Sequence, residues 1–557
     1  MTELPRCPVS RGDILDVLAG EAHWCVQQGD CLEVLGYLED DCIDAVVTDP
    51  PAGIEFMGKE WDRFKAKEPV SSGQQTEAWD VHAGTPFARQ PTPRPRGKTG
   101  ADLQPFQDFI TAAFTEVYRV LKPGGHALVW ALPRTSHHTM MGLERAGFDI
   151  RDVVVHLQGQ GFPKSLDVGK AIDRAAGAER EVVGIKRNYA NADGTLHVGK
   201  AVYIGIAGNP GGNFKPTPNM AFLTTPATDA ARQWDGWGTA LKPAAEYWVL
   251  ARKPLEGTVA QNVLKWGTGA LNIGAARVGN AQVLINTFDD GMKPFGEGAG
   301  HPYTSKTVAG RWPANVALSH SEWCTEVGRT EIKGSRIDKP AVPTPNAPYG
   351  SDGLHGEHPA RGIGDEDGKE TVSVWACPPF CAVRMLDQQS GDKRGASGRA
   401  SGPTLGLMGT QGVYGPAKGE NMGEPRFYGD TGAASRFFFV AKASRGEREA
   451  GLAEAGIEPA RSQYRPNDPG EASDRVDRLH GSVPRLNDHP TCKSLSLMRW
   501  LVRLITPPNG LILDPFAGSG TTGAAARLEG FRCIMVEQDQ RYTEIATART
   551  AYWENRG

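Results

Sequence analysis

The chain has 557 residues, enough for two or more domains with buried cores. Hydrophobic content of 39% and charged content of 23% are those of a soluble globular protein, and 68 glycines with 40 prolines point to long irregular insertions. A net charge of −4 excludes coating nucleic acid by bulk charge, though not a local basic cleft. No apolar run is long enough to span a bilayer and residues 1–20 lack a signal-peptide core, so no membrane partner and a cytoplasmic location are expected. Nine cysteines in this length do not form a secreted disulfide framework.

From Trp24, an apolar run, a Gly29-Asp30 turn and a helix-like stretch from Cys31 to Leu38 lead to Ile43–Val47, a buried strand. It empties into Thr48-Asp49-Pro50-Pro51-Ala52-Gly53. Two prolines cannot sit inside a central strand, so the turn lies beyond its carboxyl end, the edge where open α/β sheets bind ligands. A carboxylate followed by two residues without N–H presents acceptors and no competing donors. That suits an exocyclic amino group, whose hydrogens must be accepted while its nitrogen attacks an electrophile.

Residues 64–102 are rich in Pro, Gly and Gln and carry Arg89, Arg94, Arg96 and Lys98, either a phosphate-contacting loop or a solvated linker. A helix over Phe106–Val120, a turn at Lys122–Gly125 and a strand over Ala127–Leu132 follow. Ser136 is then expected to cap a helix through Ala146, with His137 and His138 in solvent, before a strand over Ile150–Leu157. Ala245–Ala251 adds another strand of what reads as a parallel sheet.

Beyond Pro254 the periodicity fades until about Asp488, with Gly/Pro-rich stretches at 340–368 and 391–432 and a basic segment, Asp392–Arg399. Within it His320 and Cys324 form an H-x3-C pair, and Cys377 and Cys381 a C-x3-C pair. Two close pairs of such ligands suit tetrahedral zinc, which would staple a loop-rich insertion; the alternative is small core thiols and a surface histidine.

Near the end, His489-Pro490-Thr491-Cys492-Lys493-Ser494 precedes a helix over Leu495–Ile505. A strand then runs into Asp514-Pro515-Phe516-Ala517-Gly518-Ser519-Gly520, a helix closes at Gly530, and a second strand, Phe531–Val536, ends in Glu537. Gly518, Gly520 and Gly523 satisfy G-x-G-x-x-G, where backbone can approach a ligand, and Glu537 can accept both hydroxyls of a ribose. Only about one helix, Tyr542–Trp553, follows this unit, so the remaining strands of a doubly wound sheet must lie upstream. The expected fold is therefore α/β, with a doubly wound, mostly parallel, circularly permuted sheet. A nucleotide-type site combined with an amino-accepting Asp-Pro-Pro turn makes S-adenosylmethionine the expected cofactor, its sulfonium supplying the electrophile.

Asp49-Pro50-Pro51-Ala52 early and Asp514–Gly520 late resemble the DNA amino-methyltransferases of the N6-adenine and N4-cytosine group. The motif order is similar to the permuted β class, and Phe56–Asp62, Gly161–Ser165, Gly236–Pro243 and Lys265–Gly269 are similar to solitary phage and prophage methylases. The resemblance implies a site-specific enzyme that flips a base from double-stranded DNA. Adenine N6 is the preferred acceptor because Asp49 opens the motif, with N4-cytosine or a decayed DNA-binding relative as alternatives. It assigns catalysis to Asp49, Pro50 and Pro51. It places Asp30, Thr491, Lys493, Asp514, Phe516, Gly518, Ser519, Gly520 and Glu537 at the cofactor. The family's motif usually ends in Tyr or Phe, which stacks on the base; here Ala52 stands there, and Phe56 or Trp61 is the candidate replacement. The implied organisation is a catalytic half over 20–255, an insertion for target recognition over 256–485, and a cofactor half over 486–557.

Overall fold

The computed structural model describes residues 13–54, 62, 64, 103–159, 165–185, 222–288, 303–321, 323–333, 335–337, 361–363, 369–379, 381–391, 433–442, 445–459, 486–554 and 556. Phe56, Trp61, the basic residues at 89–98 and the segment 392–399 lie outside them. Two compact units are present, one made of 1–159, 245–451 and 491–557, the other of 160–244 and 452–490. The expected insertion is thus divided, its last part, 452–485, going to the second unit.

The first unit is built on a nine-stranded sheet. Its strands in chain order are β1 (Trp24–Gln28), β2 (Ile43–Thr48), β3 (Leu121–Ala131), β4 (Asp149–Leu157), β5 (Ala245–Arg252), β6 (Val316–His320), β7 (Phe439–Lys442), β8 (Leu511–Asp514) and β9 (Arg532–Glu537). In space the order is β1-β9-β8-β2-β3-β5-β4-β6-β7. The last two strands of the chain therefore lie between its first two. Every pairing is parallel except the two made by β5. The apolar runs become strands buried on both faces: every residue of β2 and of β8 is buried.

Alternation within those strands feeds two cores. On one face Ala45, Val47, Ile512, Cys533 and Met535 meet α7 (Leu495–Ile505), α8 (Thr521–Leu528) and α9 (Gln540–Glu554). On the other face Val46, Val129, Leu513, Ile534 and Val536 meet α1 (Ile14–Ala19), α2 (Cys31–Gly36), α3 (Gln104–Val120) and α4 (Ser136–Arg145). Burying each such side chain contributes about 1.5–3 kcal/mol, and helices on both faces are what a parallel sheet requires.

Two local expectations are corrected. Ser136 is the first helical residue of α4 rather than its cap; Thr135 precedes it without a capping hydrogen bond, because its hydroxyl donates instead to the Ala52 carbonyl at 2.9 Å. His137 is exposed as expected, but His138 is buried, with Nδ1 2.9 Å from Gln107 of α3. The helix pairing that buries it is not encoded locally.

After α5 (Val259–Trp266), the insertion in this unit is mostly antiparallel. Val278–Phe288 pairs with Tyr303–Arg311, and Thr325–Lys333 with Lys369–Ala376, before α6 (Ala382–Ser390). Arg311 makes a two-pronged, buried ion pair with Glu370, both contacts at 2.5 Å. The second unit holds a ribbon of Val182–Ile185 with Phe222–Thr224 and helices Val168–Ala175 and Asp229–Gln233. Its hub is the buried Asp173 carboxylate, which accepts from Arg180, from the Ala227 and Thr228 amides and from the Thr228 hydroxyl.

Candidate active site

The carboxyl ends of β2 and β8 are neighbours, so the turns that follow them share one edge. Thr48, the last residue of β2, donates to Asp514 Oδ1 at 2.6 Å, joining the two turns directly. Asp514 also accepts the Phe516 amide at 3.2 Å and shapes its own turn. Burial, partly offset by these donors and Thr522, pushes its carboxyl up to about 6.

Asp49 follows immediately, with Pro50 buried and Pro51 half-buried behind it. Its Oδ2 is 2.6 Å from the Lys493 ammonium, and the Thr491 hydroxyl bonds the same carboxylate. Burial pushes the Asp49 carboxyl up, and Lys493 opposes that rise. Burial would lower the Lys493 ammonium, but Asp49 and Glu246 together raise it. Lys493 lies 4.3 Å from the centre of the Trp130 ring, whose indole N–H donates to Glu246 at 3.1 Å. Glu246 also accepts from Gln158 at 2.7 Å, and His156 stands 3.4 Å away. Although burial would raise it, Lys493, His156 and Trp130 hold Glu246 down at about 2. Two carboxyl groups, Asp49 and Glu246, thus face one ammonium beside the Asp-Pro-Pro turn.

The turn itself is held from behind. The buried Asp62 carboxylate accepts the Gly53 amide at 2.5 Å and the Ile54 amide at 3.1 Å. Gly53 adopts φ of +70°, and a Cβ there would lie 2.6 Å from the Phe106 ring, so only glycine fits.

Glu537 ends β9 and accepts the Gly518 amide at 2.7 Å and the Asp539 amide at 2.9 Å. Burial pushes its carboxyl up to about 7. Among the described residues no cation pairs with it, so it keeps unspent acceptor capacity. Asp30 lies two residues beyond the end of the adjacent strand β1, where it caps α2 by accepting the Leu32 amide at 2.8 Å. Phe516 is half-buried, its ring 5.9 Å from that of Phe109. Ser519 is turned inward, its hydroxyl 3.1 Å from Arg549 of α9. The glycines serve packing more than ligand approach: a Cβ on Gly520 would lie 2.6 Å from Ala546, and one on Gly523 2.3 Å from Met535. These glycines let α8 sit against α9 and β9.

The structure therefore brings Asp49, Thr491, Lys493 and Asp514 together and sets Glu537 and Asp30 on the same edge. Phe56 and Trp61 are not among the described residues. Sequence reasoning missed Trp130, Glu246 and Asp62. A lone acid opening the apolar run of β5 was the one local signal for Glu246. Away from this edge, His320, Cys324, Cys377 and Cys381 converge, their ligand atoms all within 4.8 Å of one another.

The family model N6_N4_Mtase, described as DNA methylase, matches residues 339–548. The type II methyltransferase M.HinfI of Haemophilus influenzae is 41% identical over 61 residues, covering 11% of this chain and 17% of that protein. M.HindIII of Haemophilus influenzae is 26% identical over 133 residues, 23% of this chain and 41% of that protein. The chain thus spans less than half the length of these curated relatives. Among solved structures, the PvuII DNA methyltransferase, titled cytosine-N4-specific, aligns over 95% of this chain and 86% of its own, at 10% identity and a TM-score of 0.31. The fold is α/β, a large, mostly parallel sheet covered by helices on both faces.

Proposed function

We propose that this chain is an S-adenosylmethionine-dependent DNA methyltransferase that modifies an exocyclic amino nitrogen, adenine N6 in a specific duplex sequence, through a circularly permuted sheet of the β class. The observation that carries the reading is the junction of two turns at one sheet edge: Asp49-Pro50-Pro51 after β2 and Asp514–Gly520 after β8, joined by the Thr48–Asp514 hydrogen bond. The interleaving of β8 and β9 between β1 and β2 supports the permutation. Target recognition is assigned to the insertion between the two motifs.

Bound S-adenosylmethionine supplies an electrophilic methyl group. Glu537, through its unspent acceptor capacity, holds the ribose hydroxyls, and Asp30 faces the adenine end. Asp49 accepts one amino hydrogen and the Pro50 carbonyl the other, which frees the nitrogen lone pair. Lys493 opposes the rise that burial imposes on the Asp49 carboxyl. The Glu246 carboxylate, held well below its ordinary value, favours the positive charge that develops on the attacked nitrogen. A duplex must release the base first, at about a few kcal/mol.

Incubating the protein with radiolabelled S-adenosylmethionine and duplex DNA, then digesting to nucleosides, is expected to place the label on N6-methyladenine. Label on N4-methylcytosine would move the acceptor, and no transfer by folded, cofactor-binding protein would mark a decayed relative. Glu537→Gln is expected to weaken cofactor binding by roughly 1.5–3 kcal/mol, the value of a hydrogen bond to a charged group. The ionised carboxylate is the form that accepts both hydroxyls, so affinity should rise with pH through about 7 in the parent and stay flat in the variant. Calorimetric titration between pH 6 and 8 checks this, and an identical pH profile in both proteins would exclude Glu537 as the ribose acceptor.

A further inference from the structure

The four residues His320, Cys324, Cys377 and Cys381 are placed by backbone structure, not by chance collapse. His320 is the last residue of β6, and Cys324 immediately precedes the strand Thr325–Lys333. Cys377 immediately follows the partner strand Lys369–Ala376, and Cys381 is the N-cap residue of α6. The ribbon's terminal pair is Thr325 with Ala376, so its register sets Cys324 and Cys377 side by side across 52 intervening residues. Each pair sits on a short turn, closed by the Cys324 amide on the Ser321 carbonyl and the Cys381 amide on the Pro378 carbonyl, both at 3.1 Å.

His320 Nδ1 lies 3.3 Å from Cys377 Sγ and 3.6 Å from Cys381 Sγ. A tetrahedron with zinc–nitrogen and zinc–sulfur bonds of about 2.1 and 2.3 Å has nitrogen–sulfur edges of about 3.6 Å and sulfur–sulfur edges of about 3.8 Å. The two nitrogen–sulfur separations are within a few tenths of an ångström of that, and all four ligand atoms lie within 4.8 Å of one another. The imidazole is oriented by stacking on Trp375, with centroids 4.2 Å apart. His320, Cys324 and Cys381 are buried and Cys377 is half-buried. Among the described residues, the apolar cluster around them has only Leu318, Cys324, Cys381 and Val383 buried, a small core for this part of the insertion.

We propose that this protein carries a structural zinc ion held by His320, Cys324, Cys377 and Cys381, which fastens the recognition insertion to the end of β6. Four protein ligands in a closed cage leave no position for water or substrate, so the ion's role is to order the chain. It ties together two segments that the covalent chain leaves 52 residues apart: the end of β6 with the first ribbon strand, and the second ribbon strand with α6. Of these, β6 also carries Ser319, whose hydroxyl is 2.7 Å from His156 beside Glu246. The ion therefore anchors the strand that backs the candidate active site.

Elemental analysis of the full-length protein, purified without added metal and again after refolding with zinc sulfate, is expected to find about one zinc per chain. Cobalt(II) exchanged into the site should show the intense visible absorption of a tetrahedral thiolate complex. Cys381→Ser should lower the metal retained after dialysis by roughly tenfold or more, since even outer-shell changes cost about that much. His320→Cys, which completes a four-thiolate cage, and Cys42→Ser, outside the cluster, should both keep it. Limited proteolysis of the metal-stripped protein should open cuts between residues 278 and 442 first. Absence of stoichiometric metal in both preparations would overturn the proposal, as would a disulfide among the three cysteines or full zinc in Cys381→Ser.

Discussion

Asp49→Ala is expected to lower methyl transfer by roughly 10²–10³-fold, the size of losing one preorganised hydrogen-bond partner at a transition state. The side chain follows the end of β2, 2.6 Å from the Lys493 ammonium, and it is the acceptor that opens the Asp-Pro-Pro turn. The cofactor turn should be little affected, because Glu537 and Gly518 belong to the ends of β9 and β8 and are bonded to each other. Cofactor affinity is therefore expected to remain close to the parent value while the single-turnover rate falls. Measuring both on one preparation separates chemistry from binding. Undiminished single-turnover transfer in Asp49→Ala would remove this residue from the reaction.

Lys493→Met should destabilise the fold by about 3–5 kcal/mol, the usual result of deleting one partner of a buried ion pair. The methionine fills most of the volume, so the loss is electrostatic: Asp49 and Glu246 would face each other without a cation. Both carboxyls would then titrate higher in the folded state than in the unfolded chain. A raised carboxyl favours the fold only in its protonated form. The deficit relative to the parent is therefore greatest at neutral pH and shrinks as pH falls towards the unfolded values of about 4. In the parent the opposite holds for Glu246, whose depressed value contributes stability that is lost only as pH falls towards about 2. Urea denaturation at pH 3, 5 and 8 checks both signs. A pH-independent loss of about 1 kcal/mol or less, as for an exposed pair, would show that Lys493 is not buried against these carboxylates.

Much of the fold is legible in short stretches. The apolar runs at 43–47 and 511–513 became strands because such runs, bounded by turn-forming residues, can be satisfied only in a covered parallel sheet. The amphipathic run Leu495–Ile505 is a helix over those same residues. Asp49 lies at the edge because two prolines forbid further pairing, a local effect. The His320–Cys324 and Cys377–Cys381 pairs were visible as ligand spacings, although only the ribbon register brought them into one cluster.

Tertiary structure decided the remainder. Glycines that read as room for a ligand proved, at 520 and 523, to be room for Ala546 and Met535, because a missing Cβ does not say which neighbour fills its place. Ser136, expected to cap α4, is its first helical residue, the Thr135 hydroxyl before it bonds the Ala52 carbonyl, and His138 was buried by α3, contacts that depend on helix placement rather than on either segment. Glu246 is the clearest case. It stands at the start of its strand, the wrong end for an active-site residue if β5 ran parallel to its neighbours. Because β5 is antiparallel to both β3 and β4, its first residues reach the edge where the parallel strands finish, beside Trp130, Lys493 and Asp49. Local sequence specifies that a segment is a strand and which residues it buries. The direction in which that strand runs is settled only when backbone hydrogen bonds form with partners more than a hundred residues away.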